Sequence, residues 1–516
     1  MAYSQAHTQM ETRALIQRHP AVLAAVAGGI PSLIGTRNGI GLSWDSADYI
    51  AVGLSMAADR GALDVTGQPM VIRPPGLSSL VTVGDWLSLS PDLVLRFVNS
   101  LSMMFLIWAT HRLLVRAGTT TRMTWVGVGL VAVSPSLLDV FTMAWSEPPF
   151  VALTLAALLL ATRERTWPWE FVMVAVFTTL FFVRYVGPFF AAPIALTAAV
   201  VQMRRSGLLL AMLRSGSVLG LSLVLPWLWL MRNKELSGYL TGYREPGGGT
   251  LLDPLKTFTG TLGSWLIARP PLQGNGGIYL NWNDFSTYMK VGGVAFWVML
   301  TLLVAVFYAT KPHVAGAVTV VSACIAVIVF YGSFSIYRFV YSELGPLDSR
   351  MMIGLYVPFI VVLVVTTQHL AHQLPQRVRR PGAILGSACV AGVLIVHGST
   401  LARDTSRFGE TSRHWGSVAF QTAPIHQFIT SLPEDAALYS NEPQSLFAAT
   451  FRWPIRNQYQ YDRPILVPCT NRYFVWFNQT FLPDNKPIGA DVVYEDSWGQ
   501  VLYLDSCKTD LARFWP

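Results

Sequence analysis

Residues 291–309 read V-G-G-V-A-F-W-V-M-L-T-L-L-V-A-V-F-Y-A, 19 consecutive residues without a charged side chain. A helix that crosses the hydrocarbon core of a bilayer needs about 20 predominantly apolar residues. The stretch therefore predicts a membrane-spanning helix. Ten further apolar runs accompany it along the chain, at about 20–37, 92–115, 122–142, 148–162, 168–185, 187–203, 208–231, 314–334, 351–369 and 382–398.

The composition of the whole chain agrees with this interpretation. Of the 516 residues, 52% are hydrophobic and only 13% are charged, whereas soluble domains contain about 25% charged residues. The sequence predicts a polytopic α-helical membrane protein with about eleven transmembrane helices. A transmembrane β-barrel is excluded, because the apolar runs are continuous and do not alternate. Most of the net charge of +8 lies in short loops between the runs, and we expect no nucleic-acid partner.

The orientation follows from the arginines and lysines of the short loops, which concentrate on the cytoplasmic side of membrane proteins. These residues fall in alternate loops, so one assignment makes them all cytoplasmic, together with the N-terminus. The loop residues are Arg13, Arg18, Arg112, Arg116, Arg122, Arg163, Arg165, Arg204, Arg205, Arg214, Lys311, Arg377, Arg379 and Arg380. With an odd number of spans, the C-terminus lies outside. We therefore expect a multi-pass protein of the cytoplasmic (inner) membrane.

Two parts are predicted along the chain. Residues 1–401 form a transmembrane module with two long outer loops, at 38–91 and 233–290, and residues 402–516 form a small extracytoplasmic α/β domain. Within that domain we predict a helix over 414–432 and strands over 437–440, 491–494 and 500–504. His414 and His426 are assigned structural roles.

Cys469 and Cys507 are the two cysteines of the predicted C-terminal domain. Extracytoplasmic compartments permit disulfides, and each cysteine flanks a β-like stretch. We predict that the two form a disulfide. The alternative is a pair of free thiols.

The first outer loop contains W-D-S-A-D-Y-I-A-V-G-L-S-M-A-A-D-R-G at 44–61. This pattern predicts a helix over about 46–59, with Asp45 as its N-cap, Asp48 three residues later and Gly61 as its stop. The helix is too short to span, and we expect it to lie along the outer membrane surface. Asp45 is then either a helix cap or a catalytic carboxylate held at that surface.

A stiff corner follows in the same loop, where Arg73 precedes Pro74, Pro75 and Gly76. The two prolines restrict the backbone, and the glycine allows it to turn. A guanidinium fixed beside a membrane suits a phosphate, because its planar fork matches the phosphate oxygens. The alternative is an arginine that extends toward the lipid head groups.

More charged residues lie at the ends of apolar runs on the same predicted side. Glu147 lies in A-W-S-E-P-P-F, Arg184 in F-F-V-R-Y-V-G and Arg350 in L-G-P-L-D-S-R-M-M. Each is a boundary residue, part of a structural ion pair or part of a site. The predicted topology brings seven charged residues to one membrane face, and this clustering favours a site. The seven are Asp45, Asp48, Arg73, Glu147, Arg184, Asp348 and Arg350.

We find no zinc signature, P-loop or dinucleotide fingerprint in the sequence. The nine histidines show no spacing typical of metal ligands. The sequence therefore predicts neither a metal nor a cofactor.

The order of these motifs resembles the GT-C membrane glycosyltransferases, in particular the branch of the bacterial protein O-mannosyltransferases and the lipid A aminoarabinose transferase. The resemblance covers nearly the whole chain. It rests on Asp45 with Tyr49 four residues later, Arg73 before Pro-Pro, R-F-V-N at 96–99, S-P-S-L at 134–137, S-E at 146–147, P-W-L-W-L-M-R-N ending at Asn233 and S-N-E-P at 440–443.

The resemblance implies an enzyme that moves a sugar from a polyprenyl-phosphate donor to a hydroxyl on the outer face, inverting and without a metal. The acceptor is a glycan, a lipid or a protein. Asp45 then acts as general base or orients the acceptor, and Arg73 contacts the lipid phosphate. Many relatives have Asp-Glu where this chain has Asp45-Ser46, so a second carboxylate comes from Asp48 or Glu147 or is absent.

Other site residues follow from the same comparison and from the charge that a leaving phosphate develops. Arg184 and Arg350 are further candidates for the lipid phosphate, and Tyr49, Pro74 and Pro75 are expected to line the donor and acceptor pocket. Two other functions remain open from the sequence. One is an O-antigen polymerase or ligase, and the other is a transporter of polyprenyl-linked glycans. A transporter has broken helices and polar residues at the bilayer midplane, whereas here the polar residues gather at one face.

Overall fold

The computed structural model describes residues 20–163, 167–244, 250–268, 282–310, 312, 314–341, 347–453, 471–478 and 490–504. The first helices are α1 (Pro20–Gly35), α2 (Trp44–Ala57), α3 (Gly76–Trp86), α4 (Pro91–Arg116), α5 (Thr121–Ala132), α6 (Pro135–Phe141), α7 (Glu147–Ala161), α8 (Trp167–Val183), α9 (Gly187–Ser206), α10 (Leu208–Ser222) and α11 (Val224–Ser237). They are followed by α12 (Leu252–Ile267), α13 (Thr287–Ala309), α14 (Ala315–Tyr341), α15 (Ser349–Met352), α16 (Tyr356–Gln373), α17 (Gln376–Thr411), α18 (Val418–Gln421), α19 (Pro424–Ser431) and α20 (Pro443–Thr450).

Every predicted apolar run contains a helix. Within the described residues, six helical segments are long and apolar enough to cross a membrane. A seventh is formed by α5 and α6 together, which are bent by 47° where Pro135 begins the second helix and cannot donate a backbone hydrogen bond. Four shorter apolar helices, α1, α7, α8 and α9, accompany them. The protein is thus helical and suited to a membrane, while the number of eleven spans stays a prediction.

Prolines also lie where two closely spaced pairs of apolar runs are separated. Helix α7 begins at Glu147 with prolines in its first turn, and α9 begins at Gly187 after a short break behind Val183. Proline is tolerated in a first helical turn because its missing N–H has no partner there. Both breaks bring charged residues to helix ends, and these become the walls of the site.

The first outer loop is a helical hairpin of α2 and α3. Its closest approach is at Gly53, where an added Cβ would lie 2.6 Å from the Cβ of Val81, so only glycine permits this packing. Thr82 of α3 donates to the carbonyl of Gly53 at 2.9 Å. Helix α3 begins directly after Pro74 and Pro75, with Pro75 at its N-cap position. The hairpin therefore holds the start of α2 close to Arg73.

The predicted cap of α2 is wrong. The helix begins at Trp44 with Ser43 at the N-cap position, and it ends at Ala57 rather than at Gly61. Asp45 lies in the first turn, where its carboxylate is directed to other side chains instead of to the helix backbone. A carboxylate at this position is also favoured by the partial positive charge of the helix N-terminus.

The C-terminal region contains a four-stranded sheet in the order β1-β2-β4-β3. Its strands are β1 (Ala437–Ser440), β2 (Arg472–Phe477), β3 (Asp491–Glu495) and β4 (Gly499–Tyr503). Strand β1 pairs with β2 in parallel, and the other two pairs are antiparallel. The three predicted strands are present, and β2 was not predicted. The predicted helix over 414–432 is wrong, because the segment folds as α18 and α19, separated by a turn before Pro424.

This region packs against the start of α2. The backbone of Trp415 donates to Leu42 at 3.1 Å, and a Cβ on Gly416 would lie 2.1 Å from the carbonyl oxygen of Ile40. Phe447 of α20 shares a buried apolar cluster with Tyr49. Helix α17 runs past the predicted boundary at residue 401 to Thr411, and the division into two domains stays a prediction.

Candidate active site

Six of the predicted site residues form one network of alternating charge, which we call the charged cluster. Its members are Asp48, Arg73, Asp45, Arg350, Glu147 and Arg184, in the order in which they touch. Three carboxylates and three guanidinium groups balance one another. The sequence predicts that these residues lie at one membrane face, and in the structure they are in contact.

Arg73 joins the two carboxylates of α2. Its Nε donates to Oδ1 of Asp45 at 3.1 Å, its Nη2 donates to the same oxygen, and its Nη1 pairs with Oδ2 of Asp48. The guanidinium also lies 5.9 Å from the ring centre of Tyr49. The Arg73 side chain is only 19% exposed, so these contacts fix its position.

Arg350 joins Asp45 to the other half of the cluster. It pairs with Oδ2 of Asp45, and its Nε donates to Oε1 of Glu147 at 2.7 Å. Its guanidinium lies 4.2 Å from the ring centre of Trp145, a cation–π distance. Both carboxylate oxygens of Asp45 are therefore held by arginines.

Glu147 and Arg184 complete the network at the start of α7. Arg184 Nη1 lies 2.5 Å from Oε1 of Glu147, and it donates to Oγ of Ser146 at 3.1 Å. The hydroxyl of Tyr49 donates to the same serine oxygen at 3.0 Å. The Glu147 side chain is 3% exposed, and a buried carboxylate is stabilised when cations compensate its lost hydration.

The motif that ends at Asn233 fixes the segment before Arg73. The hydroxyl of Tyr185 donates to the carbonyl of Val71 at 2.9 Å. It accepts from Asn233 at 2.9 Å and from Trp229 at 3.0 Å. Asn233 is completely buried. The residues at the end of the seventh predicted run therefore position the backbone segment that carries Arg73.

The cluster separates the protonation behaviour of its two aspartates. Burial would raise the pKa of Asp45, but the guanidinium groups of Arg350 and Arg73 outweigh it and hold that pKa well below its usual range. Burial raises the pKa of Asp48 to about 6, against the attraction of Arg73 and with help from the neighbouring Asp64. Because Arg73 is shared with Asp45, it compensates Asp48 only in part.

Asp348 lies beside the cluster and outside its ion pairs. Its carboxylate accepts from the backbone N–H of Met351 at 2.9 Å and caps α15. Burial raises its pKa to about 6, although the hydrogen bond from Met351 and the charge of Arg350 oppose this.

A first cavity of about 540 Å³ opens on one side of the charged cluster. Its polar wall includes Asp45, Arg73, Arg184, Asp348 and Arg350, together with Arg244 and Arg338, and Pro74 also lines the cavity. Its apolar wall includes Ile72, Val186, Phe189 and Phe334, and the last two rings stack with their centres 3.7 Å apart. Pro75 is not among the lining residues and lies at the N-cap position of α3 instead.

Sequence reasoning missed Arg244 and Arg338. Arg244 donates to the carbonyl of Ile72 at 3.5 Å. Burial lowers its pKa, and the nearby charges of Arg338 and Arg73 add to this effect, while Asp45 opposes it. Arg244 follows a glycine-containing stretch of the second outer loop, and no pattern there distinguishes it from a surface arginine.

A second cavity of about 560 Å³ lies on the other side of the cluster, and Asp45 and Arg350 contribute to both. Its remaining wall comes from the start of α2 and from the C-terminal region. These residues are Leu42, Ser43, Trp44, His414, Trp415, Phe420, Glu442, Ser445, Phe477 and Trp498. Asp45 is thus accessible from two separate spaces.

Comparison with known proteins resolves the fold but not the sequence family. No family model and no curated protein matches the chain by sequence. Among solved structures, the chain is similar to ArnT of Cupriavidus metallidurans bound to undecaprenyl phosphate, with a TM-score of 0.61 and 14% identity, over 93% of this chain and 97% of that one. The chain has the GT-C fold. The apo form of the same ArnT gives a TM-score of 0.59 and 13% identity, over 97% of this chain and 98% of that one.

The GT-C fold confirms the resemblance that the motifs suggested. At this identity the comparison establishes the architecture alone, and the roles of individual side chains remain to be argued from their geometry. Within the described ranges, we find no group of three or more metal-ligating side chains. Cys469 and Cys507 lie outside the described residues, so their predicted disulfide stays a prediction.

Proposed function

We propose that the chain is a membrane glycosyltransferase that transfers a sugar from a polyprenyl-phosphate donor to an acceptor hydroxyl on the extracytoplasmic face. The observation that carries this proposal is the position of Asp45 between two cavities, of which the first is rich in arginine. A structurally similar protein, ArnT, was solved with undecaprenyl phosphate bound. Its ligand has the chemistry that an arginine-rich cavity with an apolar wall would take.

The first cavity suits the donor phosphate. Arg244 and Arg338 lie in its wall, with Arg73 near them, and the positive charge of these guanidinium groups suits a phosphate. Phe189 and Phe334 offer an apolar surface next to them for the first isoprene units. An isoprenoid tail remains in the bilayer, because each buried CH₂ contributes about 0.8 kcal/mol, so the phosphate must be bound at the membrane surface.

The transfer itself is a single displacement. The acceptor oxygen forms a bond to the anomeric carbon, and the bond from that carbon to the phosphate oxygen breaks. The phosphate leaves with the bonding electron pair and gains one negative charge, which the arginines stabilise. The hydroxyl proton moves to a carboxylate oxygen of Asp45. One displacement inverts the anomeric configuration, and no metal is required.

The charged cluster couples donor binding to the base. Asp45 accepts from Arg73 and Arg350 through both oxygens, and a carboxylate held in this way is a weak base. A phosphate that enters the first cavity competes for these guanidinium groups. Asp45 then loses part of its compensation, its pKa rises toward the usual value, and it becomes a better proton acceptor. Asp48 and Glu147 retain the arginines during this exchange.

The distribution of positive charge among the loops supports a site that faces the outside of the cell. Arginine and lysine concentrate in the alternate short loops that the positive-inside rule assigns to the cytoplasm, and the charged cluster lies at the opposite ends of the helices. We therefore assign the site and the C-terminal region to the extracytoplasmic side of the inner membrane.

The decisive experiment measures release of polyprenyl phosphate. Purified protein in nanodiscs is given a panel of polyprenyl-phosphoryl sugars with candidate acceptors, and the lipid product is quantified by mass spectrometry. We expect release with at least one donor from the wild type, and release slower by a factor of about 10²–10⁴ from Asp45→Asn. Absence of lipid-phosphate binding in the wild type would refute the proposal, as would equal release by the two proteins.

A further inference from the structure

The two cavities beside Asp45 differ in charge. Five arginines line the first. Among the described residues that line the second, Arg350 is the single arginine or lysine, and it is already engaged by Asp45 and Glu147. Each cavity has two carboxylates among its described lining residues, Asp45 with Asp348 in the first and Asp45 with Glu442 in the second, so the difference lies in the arginines. His414 also lines the second cavity, and burial together with the charge of Arg413 lowers the pKa of its imidazole, which is therefore neutral at pH 7.

The second cavity is also rich in aromatic rings from separate parts of the chain. Trp44 begins α2 and is 40% exposed. Trp415 follows α17, and Trp498 lies in the turn between β3 and β4. The ring of Trp498 packs edge-on against Phe420 at 5.5 Å, and its backbone N–H donates to Asp496 at 2.8 Å. The ring is therefore held by its neighbours and is not free to fold away.

Glu442 adds a polar group to this aromatic wall. It precedes α20 at the N-cap position and is 5% exposed, and its backbone N–H donates to the hydroxyl of Ser440 at 3.0 Å. The residue is part of the S-N-E-P segment. A carboxylate in a rigid position accepts hydrogen bonds from neutral hydroxyls and repels anions.

We propose that the second cavity binds the acceptor as an uncharged sugar ring, with Trp498 as a stacking surface and Glu442 as the acceptor of its hydroxyl hydrogen bonds. Aromatic faces suit the apolar C–H face of a sugar, and carboxylates suit the hydroxyl groups at its edge. A phosphorylated acceptor would meet no arginine or lysine among the described lining residues except Arg350, which Asp45 and Glu147 already engage. This inference rests on the proposed function, since it assigns the hydroxyl that Asp45 deprotonates to a neutral glycan.

Binding is tested on the full chain in phospholipid nanodiscs, because maltoside detergents would themselves offer a neutral sugar. Saturation-transfer NMR measures binding of neutral trisaccharides of glucose, mannose and arabinose, and of the same sugars carrying a phosphate. We expect a neutral trisaccharide to bind more tightly than its phosphorylated form. Trp498→Ala and Glu442→Gln should each weaken binding of the neutral trisaccharide by about tenfold. Trp86→Ala, on the exposed end of α3, should leave this binding unchanged.

A glycolipid with a neutral sugar head group, placed in the nanodisc, distinguishes a lipid-borne acceptor from a free glycan. Saturable binding of either the glycolipid or the free trisaccharide supports the proposal. Binding of undecaprenyl phosphate, measured on the same samples, shows that each variant is folded. If the variants and the wild type bind this lipid but no neutral sugar shows saturable binding, the acceptor inference is refuted and the proposed function stands. Equal or tighter binding of the phosphorylated sugars, or no effect of Trp498→Ala, also refutes it. Loss of lipid binding in the wild type would contradict the proposed function instead.

Discussion

Arg350 Nε donates to Oε1 of Glu147 at 2.7 Å, although 203 positions separate the two residues in the chain. The contact joins the start of α7 to the short helix α15, and the same arginine continues to Asp45. The ion pair is mostly buried, with 24% of the Arg350 side chain and 3% of the Glu147 side chain exposed. One buried carboxylate therefore fixes an arginine that lines both cavities.

Removal of Glu147 should unbalance the whole cluster. Glu147→Gln leaves Arg184 and Arg350 with one anion fewer in a buried setting, and we expect the free energy of unfolding to fall by about 3 kcal/mol. Thermal unfolding in nanodiscs measures this. Arg403→Gln, at an arginine side chain that is 69% exposed, is the control and should change stability by less than about 0.5 kcal/mol.

The same cluster predicts strong coupling between its members. Glu147→Gln combined with Arg184→Gln should cost less than the sum of the two single variants, because the second substitution removes one of the uncompensated charges. Additive effects would show that the two residues act independently and would contradict the cluster as a unit.

Asp45→Asn should separate binding from chemistry. An amide cannot accept the acceptor proton, so transfer should fall by a factor of about 10²–10⁴. Binding of undecaprenyl phosphate should stay equal or become tighter, because Arg73 and Arg350 no longer have the carboxylate of Asp45 as a competing partner. Lipid titration and product release are measured on the same preparation. Weaker lipid binding in this variant would argue against competition between Asp45 and the phosphate.

Arg244 and Arg73 should contribute differently to donor binding. Arg244→Gln removes a positive charge from the wall of the first cavity, and the dissociation constant for undecaprenyl phosphate should increase by about tenfold. Arg73→Ala should also weaken binding, and Arg73→Lys should recover only part of it, because an ammonium lacks the bidentate fork. Arg403→Gln is again the matched control. If all three variants bind like wild type, the phosphate lies elsewhere.

Much of the charged cluster could be predicted because Glu147, Arg184 and Arg350 lie at the ends of apolar runs and the other three members lie in the first outer loop, so the topology assigns all six to one side of the membrane. Pairing could not be predicted in this way. Whether Asp45 caps α2 or points into a site depends on a shift of two residues in the helix start, which is the usual uncertainty of a helix boundary. Here that shift decides the function of the side chain.

The second cavity could not be predicted from the sequence for a different reason. Its tryptophans come from positions 44, 415 and 498, and only the packing of the C-terminal region against α2 brings them together. Strand β2 was missed because R-Y-F-V-W-F is buried along almost its whole length and shows no alternation of polar and apolar residues. A strand covered on both faces lacks that pattern.

Stability should depend on pH through Asp48 and Asp348. Burial raises both pKa values to about 6, above the ordinary 3.8. The folded protein therefore binds these protons where the unfolded chain does not, and the stabilisation is complete below about pH 4 and is lost as the pH rises through about 6. Between pH 7 and pH 5 we expect a gain on the order of 1–3 kcal/mol.

The double variant Asp48→Asn with Asp348→Asn isolates this effect. Its unfolding free energy should change much less between pH 5 and pH 7 than that of the wild type, measured by denaturation in nanodiscs. Asp491→Asn, on the exposed face of β3, is the control and should keep the full dependence. A double variant with an unchanged pH dependence would assign the effect to other groups.

The predicted disulfide joins Cys469 to Cys507, which lie outside the described residues. Extracytoplasmic compartments permit disulfides, and a disulfide stabilises the folded chain by constraining the unfolded one. We therefore expect peptide mapping without reductant to recover the two cysteines in one linked fragment, and Cys469→Ser with Cys507→Ser to lower stability by about 2–4 kcal/mol. Cys389→Ser, at an exposed free thiol, is the control and should leave both the map and the stability unchanged. Two freely alkylated thiols at positions 469 and 507 would defeat the pairing.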